Sequence, residues 1–181
     1  MYRIFFLFVL VNGVLSQALV PGVCSKPPRA LALFRHDIEG LMGVFYEYAR
    51  IPHPQEQGDC TTVVLGMRDE SAGTISNAEK LPNGQIRRWN GLIYKTDDFH
   101  VLFDYGNVKF SSYVMAMDGR SHLILYSCEN IPNSNMKKVV GWVLSRTKRL
   151  SDRAANAFRQ VLAENPDMGL EANWHHTNQN C

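Results

Sequence analysis

The segment Gly43-Val44-Phe45-Tyr46-Glu47-Tyr48-Ala49-Arg50-Ile51-Pro52 decides how the rest of the chain is interpreted. It is rich in β-branched and aromatic residues and ends at a proline, a pattern typical of a β-strand. Similar segments follow at intervals of roughly ten residues, separated by turn residues, as in antiparallel barrels and sandwiches. Eight strands are predicted: Val44–Ile51, Thr61–Met67, Thr74–Leu81, Gln85–Tyr94, His100–Tyr105, Ser112–Met117, His122–Ser127 and Val139–Ser145.

Two turns and one helix complete the predicted architecture. Pro82-Asn83-Gly84 favours a tight hairpin, because Asn-Gly tolerates positive φ angles, and Asp118-Gly119 marks a second turn. Helical periodicity is confined to Ser151–Asn165, where Ser151 can cap the start and Pro166 stops the helix. The apolar stripe of this helix must pack against the outside of the sheet. Periodicity alone leaves a barrel and a sandwich open.

The first 16 residues have the layout of a secretory signal peptide. A basic start at Met1-Tyr2-Arg3 precedes the apolar run Ile4–Val11, and small residues near Val14–Ser16 favour cleavage before Gln17. The alternative is a buried N-terminal strand. With cleavage, residues 17–181 form one extracellular domain, too short for two ordinary cores.

Charge and cysteine usage narrow the classes further. The formal net charge of +2 includes Arg3, and basic residues are scattered apart from Arg146–Arg149, so nothing favours nucleic-acid binding. Neither Ile4–Val11 nor any other apolar run is long enough for a membrane helix. The four cysteines, an even number in an exported chain, predict disulfides, with three pairings open and a free, dimerising thiol as the alternative. No CxxC motif favours a zinc site.

Three segments in order resemble the lipocalin signatures. Gly43 and Phe45 stand in the first, with Phe45 in place of its tryptophan, and Tyr113–Asp118 followed by Leu125–Cys128 resembles the second, with Met117-Asp118-Gly119 where that signature has Thr-Asp-Tyr. Arg146, at the end of Gly141–Arg146, resembles the third. The resemblance implies a mainly β, eight-stranded up-and-down antiparallel calycin barrel with a C-terminal helix outside. It is strongest for the apolipoprotein D, bilin-binding protein and crustacyanin subgroup.

The resemblance also implies specific contacts. Cys24 would bond Cys128 and Cys60 would bond Cys181, each closing a loop of about a hundred residues, worth a few kcal/mol. Phe45 would seal the closed end beneath Arg146, a weaker cation–π contact than with tryptophan. The altered residues beside Asp118 put in doubt any receptor contact through that loop.

Candidate ligand-binding residues come from the same resemblance and from strand alternation. Asn77 and Trp142 match pocket positions of the subgroup, although Asn77 on a solvent-facing strand and Trp142 in ordinary core packing are the alternatives. Alternation places Tyr113, Met115 and Met117 on one face of their strand, without showing which face is inward. Further candidate liners are Trp89, Tyr94, Phe103, Tyr113 and Met115.

Several titratable residues need separate interpretations. Glu47 shares a face with Phe45 by alternation, which indicates either a register error or an ion pair with a nearby arginine. His175-His176 is expected in an exposed tail, since adjacent strand residues point to opposite faces and cannot easily bind one metal. His100 and His122 are formal candidates for a haem ligand. No metal site is predicted.

The predicted function is the transport of a small hydrophobic ligand: a bilin, a carotenoid, a steroid or retinoid, or a fatty acid. No cofactor is required, and a homo-oligomer or a cell-surface receptor is the further partner class that the resemblance allows. One alternative is an extracellular interaction protein whose barrel is filled by bulky side chains such as Trp89, Tyr94 and Phe103. A second is a lipocalin-type isomerase, which would need a free cysteine as nucleophile.

Titration of thiols separates the carrier from the isomerase. We expect no reactive thiol in the folded, unreduced protein and four thiols after reduction and unfolding, because every cysteine has a predicted partner. The measurement is a colourimetric thiol assay, with the unfolded, unreduced protein as control for buried thiols. A thiol that reacts in the folded protein would restore the isomerase interpretation.

Overall fold

The computed structural model of the chain describes residues 18–24, 29, 38–97 and 100–181. The predicted signal peptide, residues 1–16, lies outside them. The strands are β1 (Ala18–Pro21), β2 (Gly43–Arg50), β3 (Asp59–Met67), β4 (Ala72–Lys80), β5 (Ile86–Lys95), β6 (His100–Asp104), β7 (Lys109–Asp118), β8 (His122–Asn130), β9 (Met136–Ser145) and β10 (His175–His176). The α-helix is α1 (Asp152–Glu164), and 3₁₀ helices span Ile38–Leu41, Pro166–Met168 and Glu171–Asn173.

Strands β2 to β9 form a closed antiparallel barrel in chain order. Each pairs with the next, and β9 pairs back with β2 from Tyr46↔Ser145 to Arg50↔Trp142. The eight predicted strands and the helix are confirmed with ends shifted by a few residues, and the sandwich is excluded because β9 hydrogen-bonds to β2. Strands β1, beside β9, and β10, beside β2, were not predicted.

Two apolar clusters lie on opposite sides of the barrel wall. The inner cluster fills the lower barrel and includes Phe45, Ile93 and Leu125, all buried. The outer cluster lies between the wall and α1, where Phe158 and Val161 pack against Met115 and Val143. Burying the apolar stripe of α1 in this way removes it from water, which is the main force holding the helix in place. Helix α1 starts as expected, because the Ser151 hydroxyl oxygen accepts a hydrogen bond from the backbone N–H of Ala154 at 3.2 Å.

Irregularities in β7 and β2 decide which side chains point inward. In β7 the register shifts between Val114 and Ala116, so Val114 and Met117 both belong to the inner cluster while Met115 lies in the outer one. The prediction that Tyr113, Met115 and Met117 share a face is therefore wrong, because an extra residue at a bulge reverses the alternation. A similar shift between Glu47 and Ala49 interrupts β2.

The closed end of the barrel is sealed by Arg146 over Phe45. The guanidinium carbon lies 3.7 Å from the centre of the fully buried Phe45 ring. The same guanidinium donates hydrogen bonds to the carbonyl oxygens of Gly119 at 2.8 Å, Val44 at 3.1 Å and Gly40 at 3.4 Å. One side chain thus joins the turn between β7 and β8, strand β2 and the first 3₁₀ helix.

The C-terminal tail lies between β2 and β3 at the other end of the barrel. Strand β10 pairs with β2, and beyond it the N–H of Thr177 donates to the Tyr48 carbonyl at 3.0 Å. On the other side, the N–H of Cys60 donates to the Asn178 carbonyl at 2.9 Å. The expectation of a free, exposed tail at His175-His176 is therefore wrong in part: His176 is exposed, but the pair forms a strand.

The disulfides are Cys24–Cys128 and Cys60–Cys181, the pairs that the resemblance implies. Their Cα atoms lie 5.9 Å and 6.1 Å apart, distances that a disulfide spans without displacing the backbone. The first ties the segment after β1 to β8, and the second ties the last residue to β3. The segment after β1 and the C-terminal tail are thereby fixed to the barrel wall.

Replacement of Arg146 tests the closed end. We expect Arg146→Lys to lower the free energy of unfolding by about 2 kcal/mol, because one ammonium cannot reach three separate carbonyl oxygens and still cover the Phe45 ring. The measurement is equilibrium urea unfolding. The control is Arg120→Lys in the neighbouring turn, where the exposed side chain should change stability by less than about 0.5 kcal/mol. Equal midpoints for the two variants would contradict the assigned role of Arg146.

Candidate functional site

The open end of the barrel contains a cavity of about 300 Å³. Beneath it is a second, much smaller cavity of about 30 Å³, room for roughly one water molecule. Glu56, Tyr105, Phe110 and Trp142 line both, so the two spaces are neighbours. The larger cavity, here called the mouth cavity, is lined by His53, Gln55, Glu56, Arg87, Arg88, Trp89, Asn90, Tyr105, Asn107, Val108, Phe110 and Trp142.

Stacked aromatic rings form the floor of the mouth cavity. Phe110 stacks on Trp142, with ring centres 5.8 Å apart and planes inclined by 27°, and on Phe103 at 5.2 Å. Tyr105 continues the stack at 6.4 Å from Phe110. These rings fill the middle of the barrel, so the open space lies at its mouth rather than along its full depth.

Four of the seven predicted ligand-binding residues lie at these cavities. Trp89 and Trp142 line the mouth cavity, and Asn77, Phe103 and Trp142 line the smaller one. Asn77 points inward and is buried, and its amide nitrogen donates to the Tyr105 hydroxyl at 3.1 Å. The solvent-facing alternative for Asn77 is therefore wrong.

The other three predicted liners lie outside the barrel. Tyr94 follows the inward-pointing Ile93 in β5 and so points outward. Tyr113 and Met115 belong to the outer cluster, on the side of the β7 bulge that faces α1. The sequence showed that these residues alternate, but not which face of the wall would enclose the cavity.

The predicted histidine candidates also lie away from the cavities. His100 contacts Asp97 at 2.7 Å and packs against the Tyr113 ring at 4.0 Å. His122 precedes the inward-pointing Leu123 in β8, and burial lowers its pKa below the ordinary value. No group of three or more histidine, cysteine, aspartate or glutamate side chains in the described part of the chain could hold a metal ion.

A buried carboxylate that the sequence interpretation missed lies in the mouth cavity. Glu56, in the loop between β2 and β3, accepts hydrogen bonds at Oε2 from the Trp142 indole N–H at 2.8 Å and from His53 Nε2 at 3.1 Å. Burial opposes its ionisation, but the bonds and charge of His53, the Trp142 bond and the charge of Arg50 lower the pKa of Glu56 below its usual value. Because a carboxylate only accepts, His53 donates from Nε2. Strand periodicity carries no signal for a loop residue such as this.

A second buried polar network connects β2 to the C-terminal tail. Arg50 donates from Nη1 to Glu47 Oε1 at 2.6 Å and from Nη2 to the Gly58 carbonyl at 3.1 Å. Thr177 donates to the same Glu47 oxygen, and the Gln179 amide bridges the carbonyls of Glu47 and Thr61 at 2.9 Å each. The predicted ion pair of Glu47 with an arginine is confirmed, and the register error is excluded.

The rim of the mouth cavity carries a third polar group. Arg87 donates to the buried Glu79 carboxylate and to the Gln55 carbonyl, and its guanidinium lies 5.5 Å from the centre of the Trp89 ring. The other Glu79 oxygen accepts from the Gly58 N–H at 2.6 Å. These contacts hold the Trp89 ring against a charged group whose own hydrogen bonds are satisfied within the wall.

The protonation of Glu47 gives a prediction about pH. Burial and the charge of Glu56 raise the pKa of Glu47 to about 8 against the opposing effect of Arg50, so the folded state binds this proton more tightly than the unfolded state. The stability from that proton is complete below the ordinary pKa of about 4.5 and is lost as pH rises to about 8. We expect Glu47→Gln, which cannot ionise, to lose less stability than the wild type between pH 5 and pH 8.

Urea unfolding at several pH values measures this difference. The control is Glu70→Gln, an exposed carboxylate in the turn between β3 and β4, which should follow the wild-type pH dependence. Comparing variants with the wild type removes the contributions of the histidines. Parallel pH profiles for the wild type and Glu47→Gln would contradict the raised pKa.

Comparisons with known proteins agree with this architecture. The family model described as the lipocalin / cytosolic fatty-acid binding protein family matches residues 43–172. Apolipoprotein D of Cavia porcellus is 24% identical over 161 residues, 86% of this chain and 83% of that protein, and insecticyanin-B of Manduca sexta is 21% identical over 170 residues, 89% and 81%.

Solved structures show the same fold. Apocrustacyanin C1 superposes with a TM-score of 0.75 at 20% identity over 90% of this chain and 92% of that one. Insecticyanin of Manduca sexta gives 0.75 at 19% identity over 90% and 89%. None of the helices within residues 18–24, 29, 38–97 and 100–181 has the length and apolarity that crossing a membrane would require. With its closed barrel, outer helix and family match over most of its length, the chain belongs to the lipocalin / cytosolic fatty-acid binding protein family.

Proposed function

We propose that this protein is a secreted carrier of a small, largely apolar ligand that binds in the mouth cavity. The observation that carries the proposal is the cavity itself, about 300 Å³ of space at the open end of a sealed barrel. Its wall combines aromatic rings with a few convergent polar groups, the composition typical of small-molecule sites. A carrier needs no more chemistry than burial and orientation.

The size and shape of the cavity favour particular ligands. A volume of about 300 Å³ is at the lower limit for ligand sites, and the ring stack of Phe103, Phe110 and Trp142 limits its depth. A flat, conjugated portion of a ligand can lie against Trp89 or Trp142 while the remainder extends past the rim. Among the family ligands, bilins, carotenoids and retinoids offer such a portion, whereas a steroid skeleton is mostly saturated and a fatty acid has no such portion.

The cysteines support transport outside the cell rather than catalysis. All four are in the disulfides Cys24–Cys128 and Cys60–Cys181, so none supplies the thiolate that the isomerase mechanism needs. Disulfides persist in oxidising compartments, which agrees with the signal peptide predicted at residues 1–16. We infer that residues 17–181 are the exported protein and that it binds its ligand without converting it.

One observation favours a second function. The stacked rings of Phe103, Phe110 and Tyr105 occupy much of the interior, as expected for an interaction protein whose barrel is filled by its own side chains. The two functions differ in one measurable respect. A carrier holds a ligand when it is purified from its source, and a filled barrel does not.

Tryptophan fluorescence tests where a ligand binds. The chain has three tryptophans: Trp89 and Trp142 line the mouth cavity, and Trp174 packs against Phe158 outside the barrel, with ring centres 5.0 Å apart. We expect progesterone, which absorbs outside the tryptophan emission band and therefore quenches by contact, to quench the wild type and the Trp174→Phe variant. Quenching should be much weaker in the double variant Trp89→Phe/Trp142→Phe, because its remaining indole is separated from the ligand by the barrel wall.

The control for folding is far-ultraviolet circular dichroism of all three proteins. Native mass spectrometry and an absorption scan of protein from its source then identify what it carries. Colourless source protein without extractable lipid, together with no quenching by any ligand class, would rule out the carrier and leave the filled barrel. Quenching that persists in the double variant would place the ligand on the outer surface.

A further inference from the structure

We propose that the ligand carries a hydroxyl or N–H group that donates a hydrogen bond to Glu56 inside the mouth cavity. This inference rests on the proposed carrier function and adds the chemical class of the ligand. It assigns Glu56 as the residue that selects between ligands with similar carbon skeletons.

The position of Glu56 makes it a recognition group. The residue is 9% exposed and lines both cavities, and its Oε2 is held by Trp142 at 2.8 Å and His53 at 3.1 Å. Its other oxygen, Oε1, accepts no hydrogen bond from any described residue and, unlike the fully buried atoms that lack a partner, keeps some exposed surface. The carboxylate is therefore fixed in orientation and has one oxygen available.

Two neighbouring polar groups also lack a hydrogen-bond partner. Among the described residues, the Gln55 side-chain carbonyl oxygen and His53 Nδ1 are buried without a partner, and both residues line the mouth cavity. Two acceptor oxygens without a hydrogen bond, Glu56 Oε1 and Gln55 Oε1, thus belong to residues that line the mouth cavity, so a ligand that brings a donor gains more there than one that brings an acceptor.

The Tyr105 hydroxyl supplies a hydrogen-bond donor to the cavity. Its oxygen accepts from the Asn77 amide at 3.1 Å, and burial raises its pKa above the ordinary value, so it keeps its proton. That proton has no acceptor among the described residues. A ligand hydroxyl can donate to Glu56 and accept from Tyr105, whereas a ligand carboxylate would bring a second negative charge to a buried Glu56. The cavity therefore selects for a hydroxyl or N–H over a carboxylate.

A series of probes with one ring system tests this selection. Naphthylmethanol, naphthaldehyde and naphthoate share a flat bicyclic ring and differ in offering a donor, an acceptor or an anion. Titration calorimetry of the full, oxidised chain should show naphthylmethanol binding ten- to a hundred-fold more tightly than naphthoate, the range for one hydrogen bond to a charged group. Naphthaldehyde should fall between them.

The variant Glu56→Gln distinguishes ligand recognition from a purely structural role, because only recognition by Glu56 predicts a change in the order of probe affinities. Gln has the same shape, its carbonyl can still accept from Trp142 and His53, and its amide then points a donor into the cavity. We expect the order to reverse, with naphthoate gaining and naphthylmethanol losing about ten-fold. Glu70→Gln, in the turn at the opposite end of the barrel, is the matched control and should keep the wild-type order.

The outcomes separate this inference from the carrier function. Equal binding of the three probes to the wild type would overturn the role of Glu56 and leave the carrier function standing. If the wild type preferred naphthoate and Arg88→Gln removed that preference, the role of Glu56 would be overturned. The cavity would then recognise anions at its rim, where Arg88 is exposed. Absence of binding by every probe, together with source protein free of ligand, would overturn both. The wild-type order alone decides the inference if Glu56→Gln does not fold.

Discussion

The contact of Arg146 with Phe45 and three backbone carbonyls is the constraint on which the rest of the barrel depends. It joins the first 3₁₀ helix, β2 and the turn after β7 at one point, so the lower end cannot open without breaking all three connections. Gly43 makes the close approach possible: its φ is +106°, and a Cβ there would lie 3.1 Å from Arg146 Nη1. A barrel sealed in this way has one entrance, and the cavity lies at that entrance.

The open end is held together by polar contacts instead of apolar ones. The C-terminal tail fills the gap where β2 and β3 diverge, and Gln179 and Thr177 supply hydrogen bonds that the two strands do not make to each other. The Arg50 guanidinium donates a hydrogen bond to the Glu47 carboxyl group beneath this tail. Buried polar groups of this kind seldom add stability, but here they hold β2 and the C-terminal tail in one arrangement.

The aromatic stack of Phe103, Phe110 and Trp142 both stabilises the barrel and limits what can bind. It buries large rings in favourable offset geometry and reduces the deep interior to a space of about 30 Å³. The ligand site is therefore shallow and wide rather than a deep well. Trp142 takes part in both functions, because one face packs in the stack while its N–H orients Glu56.

The sequence by itself determined the eight strands, the outer helix, the family and the seal at Phe45 and Arg146, because periodicity and short motifs depend on neighbours within the chain. It also indicated Trp142, Asn77, Trp89 and Phe103. Only the tertiary structure decided that Tyr113 and Met115 lie outside, since alternation does not show which face is inward, and that Met117 lies inside, since one extra residue at the β7 bulge reverses the alternation after Met115. His53 and Glu56 likewise required the folded chain, because a loop has no periodicity and its residues gain meaning only when barrel closure brings them against Trp142.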